Sequence, residues 1–212
     1  MLIKSAQAEQ GFIISDSFKK AWEVFKKDWI LVYAVQLLPI AIAIVYTVIL
    51  DKVEQESIFA LLYSLLYLVA QIFVSMGVIK AYLNITKGKK VTMETFTSQG
   101  SKIFNFFAVQ ILLVLIVLGG FLLLIIPGYY FILKYMFAPY LVIDKNMGPI
   151  EALKASAKMT HGIKFDIIGF FAASLVLMYM GIFALLIGVL VSIPVATLSY
   201  IIYYNKLVKR LK

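Results

Sequence analysis

The residue in this sequence best placed to do chemistry is Lys134, within the stretch IIPGYYFILKYMFAPY at 125–140, because its ammonium stands inside an otherwise apolar run. An ionisable side chain at membrane depth is costly and by default marks a ligand, ion or proton site. Gln36, Gln71 and Gln110 also stand well inside apolar runs. Amides there can line a polar cavity together with Lys134, as contacts for a solute, or they can bridge helices by hydrogen bonds. Lys134 has its own alternative. A helix starting at Pro127 would carry it about 10 Å inward from the outer surface. Side chains tilt back toward the helix N-terminus. The methylenes would then stay in apolar surroundings while the ammonium reaches toward outer head groups.

Other chemistries lack their ingredients. The chain has no cysteine, which excludes disulfides, thiolate nucleophiles and cysteine metal sites. His161 is the single histidine, so no site can draw on several. It reads as a polar residue after a helix C-terminus, where a cation interacts favourably with the helix dipole. No pair of acids lies inside an apolar run, so neither a metal nor another cofactor is expected. Gly119-Gly120 has no following Lys-Ser/Thr and reads as a turn rather than a phosphate loop. Without a cluster of acid, base and nucleophile, the chain reads as non-enzymatic.

The elements that must carry Lys134 and the glutamines are membrane helices. Apolar residues make up 63% of the 212 residues, against about 45–50% in soluble domains. They gather in charge-free runs: Trp29–Leu50, Ser57–Ile79, Ile103–Leu133 and Ile167–Asn205. A crossing needs about 20 apolar residues. The first two runs each make one crossing. The third, continued past Lys134 to Ile143, makes two, and so does the fourth. The expected fold is all-α: a polytopic membrane protein with six transmembrane helices in one integral membrane domain, 1–212. The first 28 residues lack the apolar core of a secretory leader, so none is expected.

Charge orients these spans. Of 20 basic residues, 18 fall in alternate segments: 1–28, 80–102, 144–164 and 206–212. The exceptions are Lys52 and Lys134. Lysine and arginine concentrate on the cytoplasmic side, which puts both termini there. The net charge of +9 then reads as topology charge facing anionic lipid, not as a nucleic-acid footprint. The expected location is a bacterial inner membrane.

The pattern of amphipathic segment followed by hydrophobic hairpin occurs three times, as pseudo-repeats over about 12–86, 91–145 and 148–208. In SDSFKKAWEVFKKDW, 15–29, Phe18, Trp22, Phe25 and Trp29 share one helical face among lysines. They are the expected anchors of a helix lying in the membrane interface. A helix packed on the ends of the spans is the alternative. A weaker segment, 91–104, presents Met93, Phe96 and Ile103. A third, 148–162, begins with Pro149 and presents Ile150, Leu153 and Ala157. AYLNITKG at 81–88 lines up with PYLVIDKN at 139–146, and IDKN resembles YNKL at 204–207. Hairpins two and three must turn tightly. Gly119-Gly120 and Pro127-Gly128 supply the breaks in one, and Gly188 through Pro194 in the other. Pro139 lies nearer the inner end, where a kink is easier to satisfy. Gly169/Ala173 and Ala184/Gly188, each four apart, suit close helix packing.

Residues 126–162 also form an ordered string: Ile126-Pro127-Gly128-Tyr129-Tyr130, Ala138-Pro139, Ile150-Glu151-Ala152-Leu153, Ser156 and His161-Gly162. It resembles bacterial multi-pass proteins of the glycerophosphoryl diester phosphodiesterase membrane domain type and related families of unknown function. The resemblance implies a six-helix bacterial membrane protein without phosphodiesterase activity, which belongs to a separate fused domain. The leading expectation is contact with membrane lipids or a membrane protein partner through the amphipathic segments. The alternative is a permease or transporter subunit for a small amphipathic or lipid-like solute.

Overall fold

The computed structural model describes residues 2–52, 57–183 and 187–211, and among these the fold is all-helical. Helix α1, Leu2–Leu50, bends at Asp28 (φ −123°, ψ 29°), where the lysine-rich segment gives way to the charge-free run. Helix α2 is Ile58–Thr86. It is capped at its start by Ser57, whose hydroxyl accepts from the Ala60 N–H at 3.2 Å. It ends in a left-handed Gly88 (φ 66°). There the Gly88 N–H reaches the Ile85 carbonyl at 3.0 Å and the Lys89 N–H the Asn84 carbonyl at 2.8 Å, closing two carbonyls that a helix end leaves open. The short α3, Met93–Thr97, leads through a 3₁₀ turn, Gly100–Lys102, into α4, Ile103–Leu123. Then follow α5 (Ile125–Tyr135), α6 (Ala138–Lys145), α7 (Pro149–Thr160), α8 (Lys164–Phe183) and α9 (Ile187–Leu207), with a final 3₁₀ turn, Val208–Leu211.

Six stretches are long and apolar enough to cross a membrane: Ile13–Leu50, Ile58–Thr86, Met93–Leu123, Ile125–Lys145, Lys164–Ile182 and Gly188–Leu211. The chain is a polytopic membrane protein. Its spans pack as hairpins α1–α2, α4–α5 and α8–α9, and α1 also runs along α9.

The core is gathered at the end of the bundle that carries the lysine-rich segments. On α2 the buried residues, Ala60 apart, are Met76, Gly77, Ala81, Tyr82, Leu83 and Ile85, all in its last turns. On α9 they include Leu198 and Ile201 through Tyr204. Phe137, Leu141, Val142 and Ile143 around α6, and Ala152 and Met159 of α7, fill the space between. At the other end Leu61, Leu62, Leu65, Leu66 and Leu68 of α2 stand exposed, as does the run Leu122 through Ile126. A belt of that size in a folded chain marks a surface that meets something other than water.

Several turns differ from the sequence expectation. Helix α4 runs through Gly119-Gly120 without turning. One extended residue, Leu124 (φ −167°, ψ 160°), joins it to α5, and Pro127-Gly128 sit in the first turn of α5. Proline costs nothing there, because its missing N–H would have had no partner within the helix. The glycines serve contact instead: a Cβ on Gly120 would stand 3.0 Å from the Gly128 Cα. Pro194 does not break its span but lies inside α9. A proline leaves the carbonyl four residues earlier without its donor. That carbonyl, on Leu190, accepts from the Tyr33 hydroxyl of α1 at 2.7 Å. The turn between α8 and α9, with Ala184, lies outside the described residues. The buried face of α7 is Ala152, Leu153, Ser156, Met159 and Thr160. Ile150, expected on that stripe, is exposed. The segment before α4 is a short helix and a 3₁₀ turn rather than one amphipathic helix.

Gly169 has nothing within 4 Å of a built Cβ, whereas one on Gly181 would meet the Gly188 carbonyl carbon at 2.7 Å. Alanine gains about 1 kcal/mol over glycine in a helix, but overpacking costs about 1–3 kcal/mol. Gly181→Ala should therefore lower the thermal unfolding midpoint in detergent, while Gly169→Ala leaves it unchanged or raises it.

Candidate functional site

The chain between α5 and α6 is broken, and side chains from other helices repair the break. Met136 and Phe137 belong to neither helix, and Pro139 stands in the first turn of α6. Buried Ser156 of α7 accepts from the Phe137 N–H at 3.2 Å and donates to the Lys134 carbonyl at 3.0 Å. The hydroxyl of buried Thr160 lies 3.1 Å from the same carbonyl. Tyr200 of α9 donates to the Met136 carbonyl at 3.3 Å. Pro149 starts α7, and Glu151 accepts from the Gly148 N–H at 3.4 Å, so the helix that carries these hydroxyls is locally well specified.

These bonds hold Lys134 at the level of α7. The side chain leans back over Tyr130, its ammonium 5.8 Å from that ring centre and 5.1 Å from Tyr135. Lys164, at the start of α8, stands 4.5 Å from the same Tyr130 ring. Lys134 thus belongs to the lysine-rich end, not to the opposite surface toward which its tilt was expected to carry it. The physical reason is the break. Helix α6 is absorbed into the core, with Leu141, Val142 and Ile143 fully buried, so the apolar surface of this span ends near Lys134.

The glutamines do not converge with it. Gln36 accepts from the Tyr82 hydroxyl at 3.3 Å. Gln71 donates to the Pro39 carbonyl at 3.2 Å and to the Tyr67 hydroxyl at 2.9 Å. Both therefore bridge α1 and α2 or support α2 itself. Gln110 is exposed on α4. The aromatic stripe of α1 divides. Phe25 is buried and Phe18 stacks on Phe170 of α8 with centroids 5.2 Å apart, so these two are core contacts rather than lipid anchors. Trp22 and Trp29 remain exposed, at 45% and 51%. Phe18 and Phe25 turn inward because α8 and α9 pack against that side of the helix.

A second polar centre, not foreseen as a site, lies where the hairpins end. Thr86, Asp144 and Asn205 stand at the positions that the ITKG, IDKN and YNKL strings align, and they are neighbours. Asn205 donates to the Thr86 hydroxyl at 3.0 Å. The Tyr204 hydroxyl donates to Asp144 at 3.3 Å. Lys87 pairs with Asp144 at 2.6 Å and Lys145 at 3.8 Å. Thr86, Lys87, Asp144, Lys145, Asn205 and Lys209 line a cleft of about 470 Å³. Three helix C-termini meet here, each the negative end of a dipole, so the lysines offset the carbonyls as well as Asp144. Lys102 donates to the Ile143 carbonyl at 2.8 Å. Close by, Lys206 fastens α9 to α1, holding Asp16 at 2.7 Å, the Ile13 carbonyl at 2.9 Å and Ser17 at 3.0 Å. The cleft holds charge in place.

Removing the Ser156 hydroxyl leaves the buried Phe137 N–H without its partner, at about 1–3 kcal/mol, while Thr160 still reaches the Lys134 carbonyl. Ser156→Ala should therefore destabilise the protein by that amount in thermal unfolding, and Ser174→Ala, which removes a bond only within α8, should cost less.

No family model and no solved structure matches the chain. It is similar to uncharacterized proteins from Mycobacterium bovis and Mycobacterium tuberculosis, at 29% identity over 136 residues, covering 64% of this chain and 42% of each relative. The chain thus spans less than half the length of the curated relatives it matches.

Proposed function

We propose that this is a non-enzymatic protein of a bacterial inner membrane, with both termini cytoplasmic, that contacts lipid through a collar at its lysine-rich end. The observation that carries this reading is the set of large apolar side chains exposed there among lysines. Trp22, Trp29, Met93, Phe104, Ile150 and Phe165 are all exposed, and Lys26 lies over the Trp22 ring at 5.7 Å. Apolar and aromatic groups beside long cationic side chains match the boundary between acyl chains and head groups. The resemblance of residues 126–162 to bacterial multi-pass proteins supports the same reading. A permease would need Lys134 and the glutamines on one cavity, and Gln36 and Gln71 are engaged in helix contacts instead.

Trp22 and Trp29 are the two tryptophans of the chain, so intrinsic fluorescence reports on the collar alone. In vesicles, lipids labelled near the head group should quench it more than lipids labelled deep in the acyl chain, and iodide in the water should quench it weakly. Strong iodide quenching with no effect of either lipid label would refute lipid contact at the collar.

A further inference from the structure

We infer that Lys134, Tyr130 and Lys164 form a binding site for the headgroup phosphate of an anionic phospholipid, entered from the bilayer at the seam between α5 and α8. Two ammonium groups rest against one tyrosine ring, at 5.8 Å and 4.5 Å from its centre. Among the described residues neither is ion-paired with a carboxylate. By contrast, Asp144 engages Lys87 and Lys145, and Asp16 engages Lys20 and Lys206. Like charges brought together without a counter-charge repel. A ring face offsets a cation by only about 0.5–1 kcal/mol at exposed sites. One anion between the two ammoniums removes the repulsion and gains charge-assisted hydrogen bonds from both.

The surroundings specify the anion. Ile126, Tyr130 and Lys134 follow one another at intervals of four along one face of α5. Ile126 is 81% exposed, and Phe165, beside Lys164, is 89% exposed. Acyl chains can lie on these side chains while the phosphate sits between the lysines. Basic pockets between transmembrane helices bind lipid head groups in this way. The Tyr130 hydroxyl makes no hydrogen bond among the described residues and can donate to the same phosphate. A choline headgroup would bring its own quaternary ammonium toward two lysines, so an anionic headgroup is preferred over a zwitterionic one. The site is also pre-set. The Lys134 carbonyl is held by Ser156 and Thr160, so the cation on α5 is presented from a fixed backbone.

This inference rests on the lipid-contact reading, and its test reads a different part of the molecule from the tryptophans. The full chain in detergent is titrated with short-chain phosphatidylglycerol, phosphatidylcholine or inorganic phosphate, and bound adducts are counted by native mass spectrometry. The wild type should retain phosphatidylglycerol in preference to phosphatidylcholine. Lys164→Gln and Lys134→Gln should each weaken that binding, and together by at least tenfold. Lys164→Arg should keep it, and Lys52→Gln, in the exposed turn after α1, should leave it unchanged. Thermal unfolding of each variant separates lost binding from lost fold, and Lys164→Gln, at the helix start, serves if the double variant does not fold. Equal binding of phosphatidylglycerol by the wild type and Lys164→Gln would overturn the site. So would a wild type without headgroup preference. Displacement of the lipid by millimolar inorganic phosphate would assign the lysines to a free anion and overturn the lipid.

Discussion

Every break in a membrane helix exposes backbone groups that no water is at hand to satisfy, and this constraint governs the arrangement of the chain. An unsatisfied carbonyl in hydrocarbon costs several kcal/mol. Pro39 lies inside α1, where Gln71 of α2 donates to the proline's own carbonyl, and at Pro139 and Pro194 a hydroxyl from another helix supplies a missing donor. Tyr33 serves Leu190. Ser156 and Tyr200 serve the residues ahead of Pro139. These bonds cross between hairpins. The repairs therefore also tie α1 to α9, and α5 to α7 and α9.

The position of the core follows from the same requirement. Helix α7 has to approach the break to deliver Ser156 and Thr160, and in doing so it brings Leu153 and Met159 onto α6. The aromatic cluster of Phe137, Tyr140, Tyr200 and Tyr204, with ring centres 5.3–5.8 Å apart, grows around that junction. Phe170 joins it through Tyr200, at 6.4 Å, and extends it to Tyr203, at 4.8 Å, and Phe18, at 5.2 Å. The N-terminal part of α1 is therefore an outer layer of the core, fixed by Lys206 at one point and by a stacked ring at another.

The spans were legible because hydrophobic length is read directly from composition, and the lysine-rich segments do gather at one end of the bundle. What periodicity could not supply was the partner of each helix. The stripe Phe18, Trp22, Phe25 and Trp29 is apolar whichever neighbour it meets. Only the presence of α8 and α9 decides that two of its members face protein. Pro194 looks like a break because the sequence does not show that Tyr33 is within reach. Gly119-Gly120 looks like a turn because glycine serves close packing and turning alike. Lys134 stands out in the sequence, but its depth depends on how much of its span α7 covers. The polar centre at Asp144 left a faint signal in the aligned ITKG, IDKN and YNKL strings. No single string carries the information that their helix ends meet.

The uneven core has a mechanical consequence. One end of the bundle is cross-linked by protein contacts, and the other is completed by whatever surrounds it, so the exposed halves of α2, α4 and α8 use acyl chains as their packing partner. Bilayer thickness then bears on the packing of those exposed halves. Tilt is the ordinary response of a helix to a thinner or thicker membrane, and here the packed junction would act as the fulcrum for it.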